Sequence, residues 1–355
     1  MKIVVFDVPA STGGALSILT DFYKETISYK NEKIEWHFIL STPVFREEQN
    51  VKIHNYPWIK KSWLHRLYFD YFYSKKIIKR LNPDKIFSLQ NTLIPSNKYQ
   101  ILYVHQAIPF SKYKIKIREN FKLWVYQNII SKLIFKSIKK ADQIIVQTQW
   151  FKSACIKKTN INSNKVTVVN PRVPNIEVSE FYLEQNPYRF FYPASFELYK
   201  NHQVIFEAIK ILKDRKVNNF EIILTIDEDS IKKNKKLLKT YQKLDLPIKY
   251  MGQLSHSEVL NFYKSSILVF PSYIETFGLP LIEAKKSNSI ILVADEPYSR
   301  EVLENYNNVY FFKWYDADEL SSYMHDIIKG EIKTNGKKCA TKNVENSLVE
   351  KVIKL

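Results

Sequence analysis

In Pro271-Ser-Tyr-Ile-Glu-Thr-Phe-Gly-Leu-Pro-Leu-Ile-Glu-Ala284 a loop opens into a helix, and the apolar run Ile267 to Phe270 just before it reads as a buried parallel strand. Pro271-Ser272 ends that strand. Pro280 sits where a first helical residue is favoured, because its fixed φ suits the first turn and its missing N–H costs nothing there. Glu275 then lies in the loop and Glu283 about one turn into the helix. The amides of Phe277, Gly278 and Leu279 point forward from the helix start without an internal acceptor, and such a terminus binds anions, phosphate above all.

Free amides for a phosphate, flanked by two carboxylates, suit a ligand with phosphate in its middle and hydroxyls at both ends. A nucleotide sugar is such a ligand. Glu275 and Glu283, with seven residues between them in E-T-F-G-L-P-L-I-E, resemble the E-x7-E motif of retaining glycosyltransferases of family 4. Taken alone, the pair would be an ordinary loop acid and a helix-favouring surface residue. The resemblance implies an α/β chain of GT-B fold, with two Rossmann-like parallel-sheet domains facing each other across a cleft. It implies that Glu275 faces the donor sugar, that Glu283 holds the ribose hydroxyls, and that Thr276, Phe277, Gly278 and Leu279 line the donor between them.

Upstream in the same half, Arg189 to His202 runs strand, loop, helix, with Lys200 just before the helix. Lys200 resembles the family lysine that neutralises the donor diphosphate. The commoner family pattern has Gly-Arg after this strand; here Ser195-Phe196 stands instead, so one usual phosphate-binding arginine is missing. Strands are expected at 220–226 and 248–251, with helices from Ser230 and over 257–264, and Gly252-Gln253-Leu254-Ser255 resembles the family loop beside the nucleotide base. Asp227-Glu228-Asp229 has the spacing of the D-x-D signature of metal-dependent glycosyltransferases with one Rossmann-like domain. It ends a strand and precedes a helix start, so it reads as loop and cap, and Asp316-Ala-Asp318 reads likewise. No metal and no cofactor is expected. Beyond Glu283 come a strand at 290–294, a helix at 298–305, a strand at 309–312 and a helix at 318–329; after a polar break at 336–341, residues 343–355 read as a terminal helix that crosses back to the first domain in this fold.

The first half opens with a strand at 2–8, the tight loop Ser11-Thr12-Gly13-Gly14 and an apolar-periodic helix from Ala15 to about Tyr29, followed by a strand at 34–40. A glycine loop before a helix favours an anion, although there is no G-x-G-x-x-G and a plain turn has the same spelling. The resemblance adds that Gly13 and Gly14 approach the donor diphosphate and the acceptor. A strand ends at His105, where open α/β sheets place ligand groups, and His105 resembles the family histidine at the donor sugar. Strands at 143–148 and 166–169 close the domain. The expected boundaries are 1–172 for an acceptor-side domain, 188–330 for a nucleotide-sugar domain and 331–355 for the returning segment, with Pro171, Pro174 and Pro187 bracketing a hinge.

Charge is distributed unevenly. Residues 1–170 hold 28 Lys and Arg against 11 Asp and Glu, while the remainder is nearly balanced within a total of +18. Lys60 to Arg80 interleaves bases with Trp63, Tyr68, Phe69, Tyr71, Phe72 and Tyr73, and residues 112–140 repeat the pattern in a helix whose apolar face includes Phe121, Trp124, Val125, Ile129 and Leu133. Such helices suit an anionic lipid surface; they suit equally a core-facing aromatic stripe with a solvated basic face. No recognised nucleic-acid module is present, so nucleic acid is not the expected partner. Cys155 and Cys339 are too few and too far apart for a disulfide framework, and no apolar run reaches the ~20 residues that span a bilayer. The expectation is a cytoplasmic enzyme, peripheral on the inner face of the cytoplasmic membrane. It would transfer a hexose or N-acetylhexosamine to a lipid-linked oligosaccharide, as in lipopolysaccharide O-antigen or capsule synthesis. The alternatives are a sugar-nucleotide epimerase of the same architecture and a non-catalytic membrane scaffold.

Overall fold

The computed structural model describes residues 1–29, 31–42, 44–172, 181–183, 186–227, 246–334 and 347–355. The chain divides into two compact units, Met1–Arg172 with Val344–Leu355 and Val173–Asn343. Pro174 within the expected hinge, Glu228, Asp229, the helix from Ser230, Cys339, the polar break at 336–341 and the expected start of the terminal helix at 343 lie outside the described residues.

Unit 1 carries a seven-stranded sheet of β1 (Lys2–Phe6), β2 (Glu35–Leu40), β3 (Val51–Asn55), β4 (Lys85–Ser88), β5 (Tyr99–Tyr103), β6 (Gln143–Val146) and β7 (Val166–Val168), in the order β3-β2-β1-β4-β5-β6-β7. Every pairing is parallel, with Val4 of β1 opposite His37 on one side and Ile86 on the other. Parallel strands covered on both faces are apolar throughout, and Ile3, Val4, Val5 and Phe6 are all fully buried. The strand order reverses between β1 and β4. At such a switch the two flanking loops diverge at the carboxyl edge and leave room for a ligand.

The first helix, α1 (Gly13–Ser28), lays Leu19, Phe22 and Tyr23 on this sheet beside Trp36, Phe38 and Phe87. The chain's last described helix, Leu348–Lys354, joins the same cluster through fully buried Val349 and Val352. The Ser347 hydroxyl and the Val349 amide both donate to the Glu25 carboxylate of α1, and Lys85 donates to the Ile353 carbonyl at 2.8 Å. Residues 347–355 thus belong to the first sheet's core.

Both basic, aromatic segments are helices interrupted by a π turn. The first runs α2 (Trp63–Tyr68), a π turn at Phe69–Tyr73 and α3 (Ser74–Leu81); the second runs α4 (Phe121–Val125), a π turn at Tyr126–Ile130 and α5 (Ser131–Lys140). A π turn closes i→i+5 and takes up an extra residue, so side chains beyond it fall out of step with a 3.6-residue pattern. The single apolar face expected in the second segment does not face the core. Phe121 is 65% exposed and Ile129 50%, while Gln127, Ser131, Ile134 and Ile138 are buried. Gln127 faces inward because it fastens the preceding basic loop, accepting from the Ile115 amide at 2.9 Å and donating to the Tyr113 carbonyl at 2.8 Å.

Unit 2 holds β8 (Tyr188–Tyr192), β9 (Phe220–Leu224), β10 (Ile248–Tyr250), β11 (Ile267–Phe270), β12 (Ile291–Ala294) and β13 (Val309–Phe312), all parallel, in the order β10-β9-β8-β11-β12-β13. Its switch lies between β8 and β11. The loops after these two strands are the ones that carry Lys200 and Glu275.

Candidate active site

In the loop after β8, Tyr192 donates its hydroxyl to the Lys200 carbonyl at 2.7 Å, and Asn201, in the left-handed region at φ 57°, turns the chain into α7 (His202–Asp214). The loop after β11 is stitched to it: the Tyr273 amide donates to the Tyr199 carbonyl at 3.1 Å, and Ser272 Oγ lies 3.2 Å from the same carbonyl. These bonds bring the two candidate side chains together. Lys200 Nζ lies 2.5 Å from Glu275 Oε1, which also accepts from Ser272 Oγ at 2.7 Å. The ammonium stands 5.6 Å from the Tyr199 ring centre and 5.9 Å from that of Phe270, faces that attract a cation. The lysine is therefore held rigidly, with less than a fifth of its side chain exposed.

Downstream, Gly278 caps α9 (Leu279–Lys286) at φ 86°, a conformation that side-chain-bearing residues rarely adopt. Leu281 closes the turn by donating to the Gly278 carbonyl at 3.0 Å, and no side chain caps the helix start. Thr276, Phe277 and Gly278 are buried and Leu279 half-buried. The uncapped N-terminus at the carboxyl edge of β11 keeps its amides for an anion.

Glu283 sits on the first turns of α9, buried, with its Oε1 2.8 Å from His256 Nε2. Burial pushes its carboxyl above the usual range, and His256, Tyr263 and Lys286 pull it back. His256 opens α8 (His256–Ser265), whose Ser255 cap ends the loop Gly252-Gln253-Leu254. Gly252 lies at φ 65°, and a Cβ there would stand 2.9 Å from Asp227 Oδ1; Gln253 is exposed and Leu254 half-buried. Asp316 caps the helix Ala317–Ile328 by accepting from the Glu319 amide at 3.0 Å. Among the described residues no group of three or more His, Cys, Asp or Glu side chains has a metal-holding arrangement.

In unit 1, Gly13 lies at φ 60° at the start of α1, and Thr12 makes no side-chain cap. His105 follows β5 by two residues. Its Nε2 donates to the Leu89 carbonyl at 2.9 Å, and its amide donates to Asn91 Oδ1 at 2.8 Å. Burial pushes the imidazole down to about 4, so the ring is neutral at pH 7 with Nδ1 left as an acceptor.

Three features of the two units were not read from the sequence. Ser272 on Glu275 was within reach, since Ser-x-x-Glu is a local capping spelling. His256 on Glu283 is separated by 27 residues and has no local signal. Asp7, at the end of β1, is 1% exposed, and neither oxygen meets a partner at full hydrogen-bond geometry among the described residues. Burial raises its carboxyl to about 7, against the Ala10 amide, Arg66 and Lys60.

Residues 176–343 match the family model "Glycosyl transferases group 1". The chain is 23% identical over 239 residues to the O-antigen chain mannosyltransferase RfbU of Salmonella typhimurium, covering 67% of this chain and 64% of that protein, so it spans somewhat under two thirds of this relative's length. It is 24% identical over 315 residues to the N,N'-diacetylbacillosaminyl-diphospho-undecaprenol alpha-1,3-N-acetylgalactosaminyltransferase of Campylobacter jejuni, covering 81% of this chain and 80% of that one. Among solved structures it resembles WaaG, a glycosyltransferase involved in lipopolysaccharide biosynthesis, with a TM-score of 0.70, 11% identity and coverage of 92% and 90%. The fold is GT-B, and the matches support a glycosyltransferase.

Proposed function

We propose that the chain is a retaining glycosyltransferase of family 4, moving a hexose or N-acetylhexosamine from a nucleotide diphosphate sugar to a lipid-linked oligosaccharide in O-antigen or capsule synthesis. The observation that carries this reading is the Lys200–Glu275 pair at 2.5 Å beside the uncapped start of α9, within the segment that matches the family model. The relatives' names, an O-antigen mannosyltransferase and a transferase acting on a diphospho-undecaprenol, support the acceptor class.

In this reading the bond from the anomeric carbon to the diphosphate breaks through an oxocarbenium-like transition state. Charge grows on the leaving phosphate, where Lys200 and the amides of 277–279 meet it without a metal. Glu275, fixed by Ser272, orients the sugar. By the family resemblance Gly13 and Gly14 approach the diphosphate, and His105 accepts a sugar hydroxyl at Nδ1. The acceptor hydroxyl attacks from the face the diphosphate leaves and passes its proton to the departing phosphate oxygen. The test is transfer from a nucleotide sugar to polyprenyl diphosphate oligosaccharide, with the new bond read by NMR. A donor-like anomeric configuration is expected; an inverted bond overturns retention, and conversion of donor to its epimer without acceptor favours the epimerase.

The reading also places the enzyme on the cytoplasmic face of an anionic membrane. No helix among the described residues is long and apolar enough to cross one. Trp63 is 69% exposed, Leu64 76% and Phe72 61%, among exposed Lys61, Lys75, Lys76 and Lys79, so these three side chains stand outward, while Phe69 of the same segment is buried in the core. Aromatic side chains ringed by lysines suit the interface of anionic lipid, each base contributing about 1 kcal/mol. Replacing Trp63, Leu64 and Phe72 together by serine is expected to lower sedimentation with vesicles containing anionic phosphatidylglycerol about tenfold or more. Unchanged sedimentation would remove this surface from the proposal.

A further inference from the structure

We infer that His256 is a positioning residue of the nucleotide side of the site, fixing the Glu283 carboxylate so that it stays open to the vicinal diol of a ribonucleotide. The inference rests on the donor-site reading above and adds a residue to it. His256 is the first residue of α8, and a reciprocal cap holds that turn: the Glu258 amide donates to Ser255 Oγ at 3.4 Å and the Ser255 amide to Glu258 Oε2 at 2.8 Å. A fixed first turn aims the imidazole at α9, where its Nε2 lies 2.8 Å from Glu283 Oε1. The geometry is asymmetric. The Glu283 side chain is 8% exposed while that of His256 is 51% exposed, so a buried carboxylate is reached by a donor whose other edge faces solvent.

A buried carboxylate left alone takes up a proton, and a protonated carboxyl gives up acceptor capacity that a diol needs. Glu283 is faced by His256 and Tyr263 from α8 and by Lys286 from its own helix, and all three oppose the upward push of burial. His256 acts first among them. By bonding one oxygen it pulls the carboxyl back toward its ionised form and leaves the other oxygen for the ligand.

The test is calorimetry of UDP, GDP and ADP and their 2′-deoxy forms, on the wild type and His256→Ala, between pH 5 and 8. For the nucleotide the wild type prefers, His256→Ala is expected to bind about tenfold more weakly, the loss of one hydrogen bond to a charged group. The alanine variant should also discriminate less against the 2′-deoxy form and lose binding at a higher pH on the acid side. In turnover KM should rise with kcat nearly unchanged, and His256→Gln, which can donate the same bond, should recover most of the affinity. If the wild type binds no nucleotide, the donor-site reading itself fails. If it binds and His256→Ala matches it in affinity, pH profile and 2′-deoxy discrimination, the inference is overturned. Should the alanine variant not fold, the decision passes to His256→Leu, whose side chain fills the space without donating; normal binding by it overturns the inference equally.

Discussion

Replacing Lys200 by alanine is expected to lower kcat by about 10²–10³-fold, the loss seen when one preorganised partner of a developing oxyanion is removed. The size follows from how the lysine is held. Its backbone carbonyl is fixed by Tyr192, its ammonium lies between the Tyr199 and Phe270 ring faces, and its charge meets Glu275 at 2.5 Å. A group so constrained needs no reorganisation when the diphosphate leaves. Arginine should not restore the rate, because its longer, bulkier guanidinium cannot place a point charge where the ammonium meets Glu275 Oε1 at 2.5 Å. If the loop after β8 binds the diphosphate as proposed, Ser195-Phe196 offers it no arginine where the resembled family commonly has one, and Lys200 is expected to carry more of the charge. Steady-state kinetics on Lys200→Ala and Lys200→Arg check this, and a kcat within threefold of wild type would contradict it.

Gly278→Ala is expected to destabilise unit 2 by about 1–3 kcal/mol and to abolish measurable nucleotide binding. At φ 86° an alanine is strained, and its Cβ would stand 3.2 Å from Leu281 Cδ1 and 3.4 Å from Tyr298 Cε2, neither of which can give way. Leu281 is fully buried, and Tyr298 is fixed by donating its hydroxyl to the Ser272 carbonyl at 2.6 Å. Relief of strain would tilt the 277–279 amides away from the ligand. Gly14→Ala is the contrast, because a Cβ there meets nothing within 4 Å and its φ lies outside the left-handed region. Stability should not fall, since alanine at a compatible helical position is if anything stabilising, so any loss of activity in that variant reports on the approach of the ligand. Urea unfolding with calorimetry of the ligand separates the two glycines; equal stability of Gly278→Ala and wild type would contradict the strain argument.

The legible parts of this chain are those where one local pattern dominates. Ile267–Phe270 and Val309–Phe312 read correctly to the residue, because short apolar runs bounded by Pro-Ser or Asn-Asn permit little else. The β4 strand, Lys85–Ser88, was not anticipated although it lies next to β1 at the centre of unit 1: four residues starting with a lysine after Asn-Pro-Asp look like the tail of a turn. Val51–Asn55 was missed for a different reason, as an edge strand whose alternation includes Lys52 and His54. The π turns were invisible because a 3.6-residue reading assumes an unbroken helix, and it therefore could not decide between a core stripe and an outward aromatic face. Phe121 and Ile129 decide it by their exposure.

The candidate site was legible as a set of residues but not as a set of partners. Spacing within E-T-F-G-L-P-L-I-E marked Glu275 and Glu283, the expected strand end marked His105, and the family resemblance marked Lys200 just before its helix. No spacing could show that Lys200 pairs with Glu275 across 75 residues, or that His256 reaches Glu283 across 27. Those contacts depend on the order β9-β8-β11 and on the packing of α8 against α9, which are properties of the folded unit.

Calorimetric titration of UDP, GDP and ADP with their common sugars, on the wild type and on Glu283→Ala, is the measurement to make first. One nucleotide should bind the wild type with micromolar affinity and bind Glu283→Ala at least tenfold more weakly, with the variant's ligand-free melting temperature within a few degrees of wild type. No binding by any nucleotide, or equal binding by a folded Glu283→Ala, would contradict a donor site built on the loops after β8 and β11.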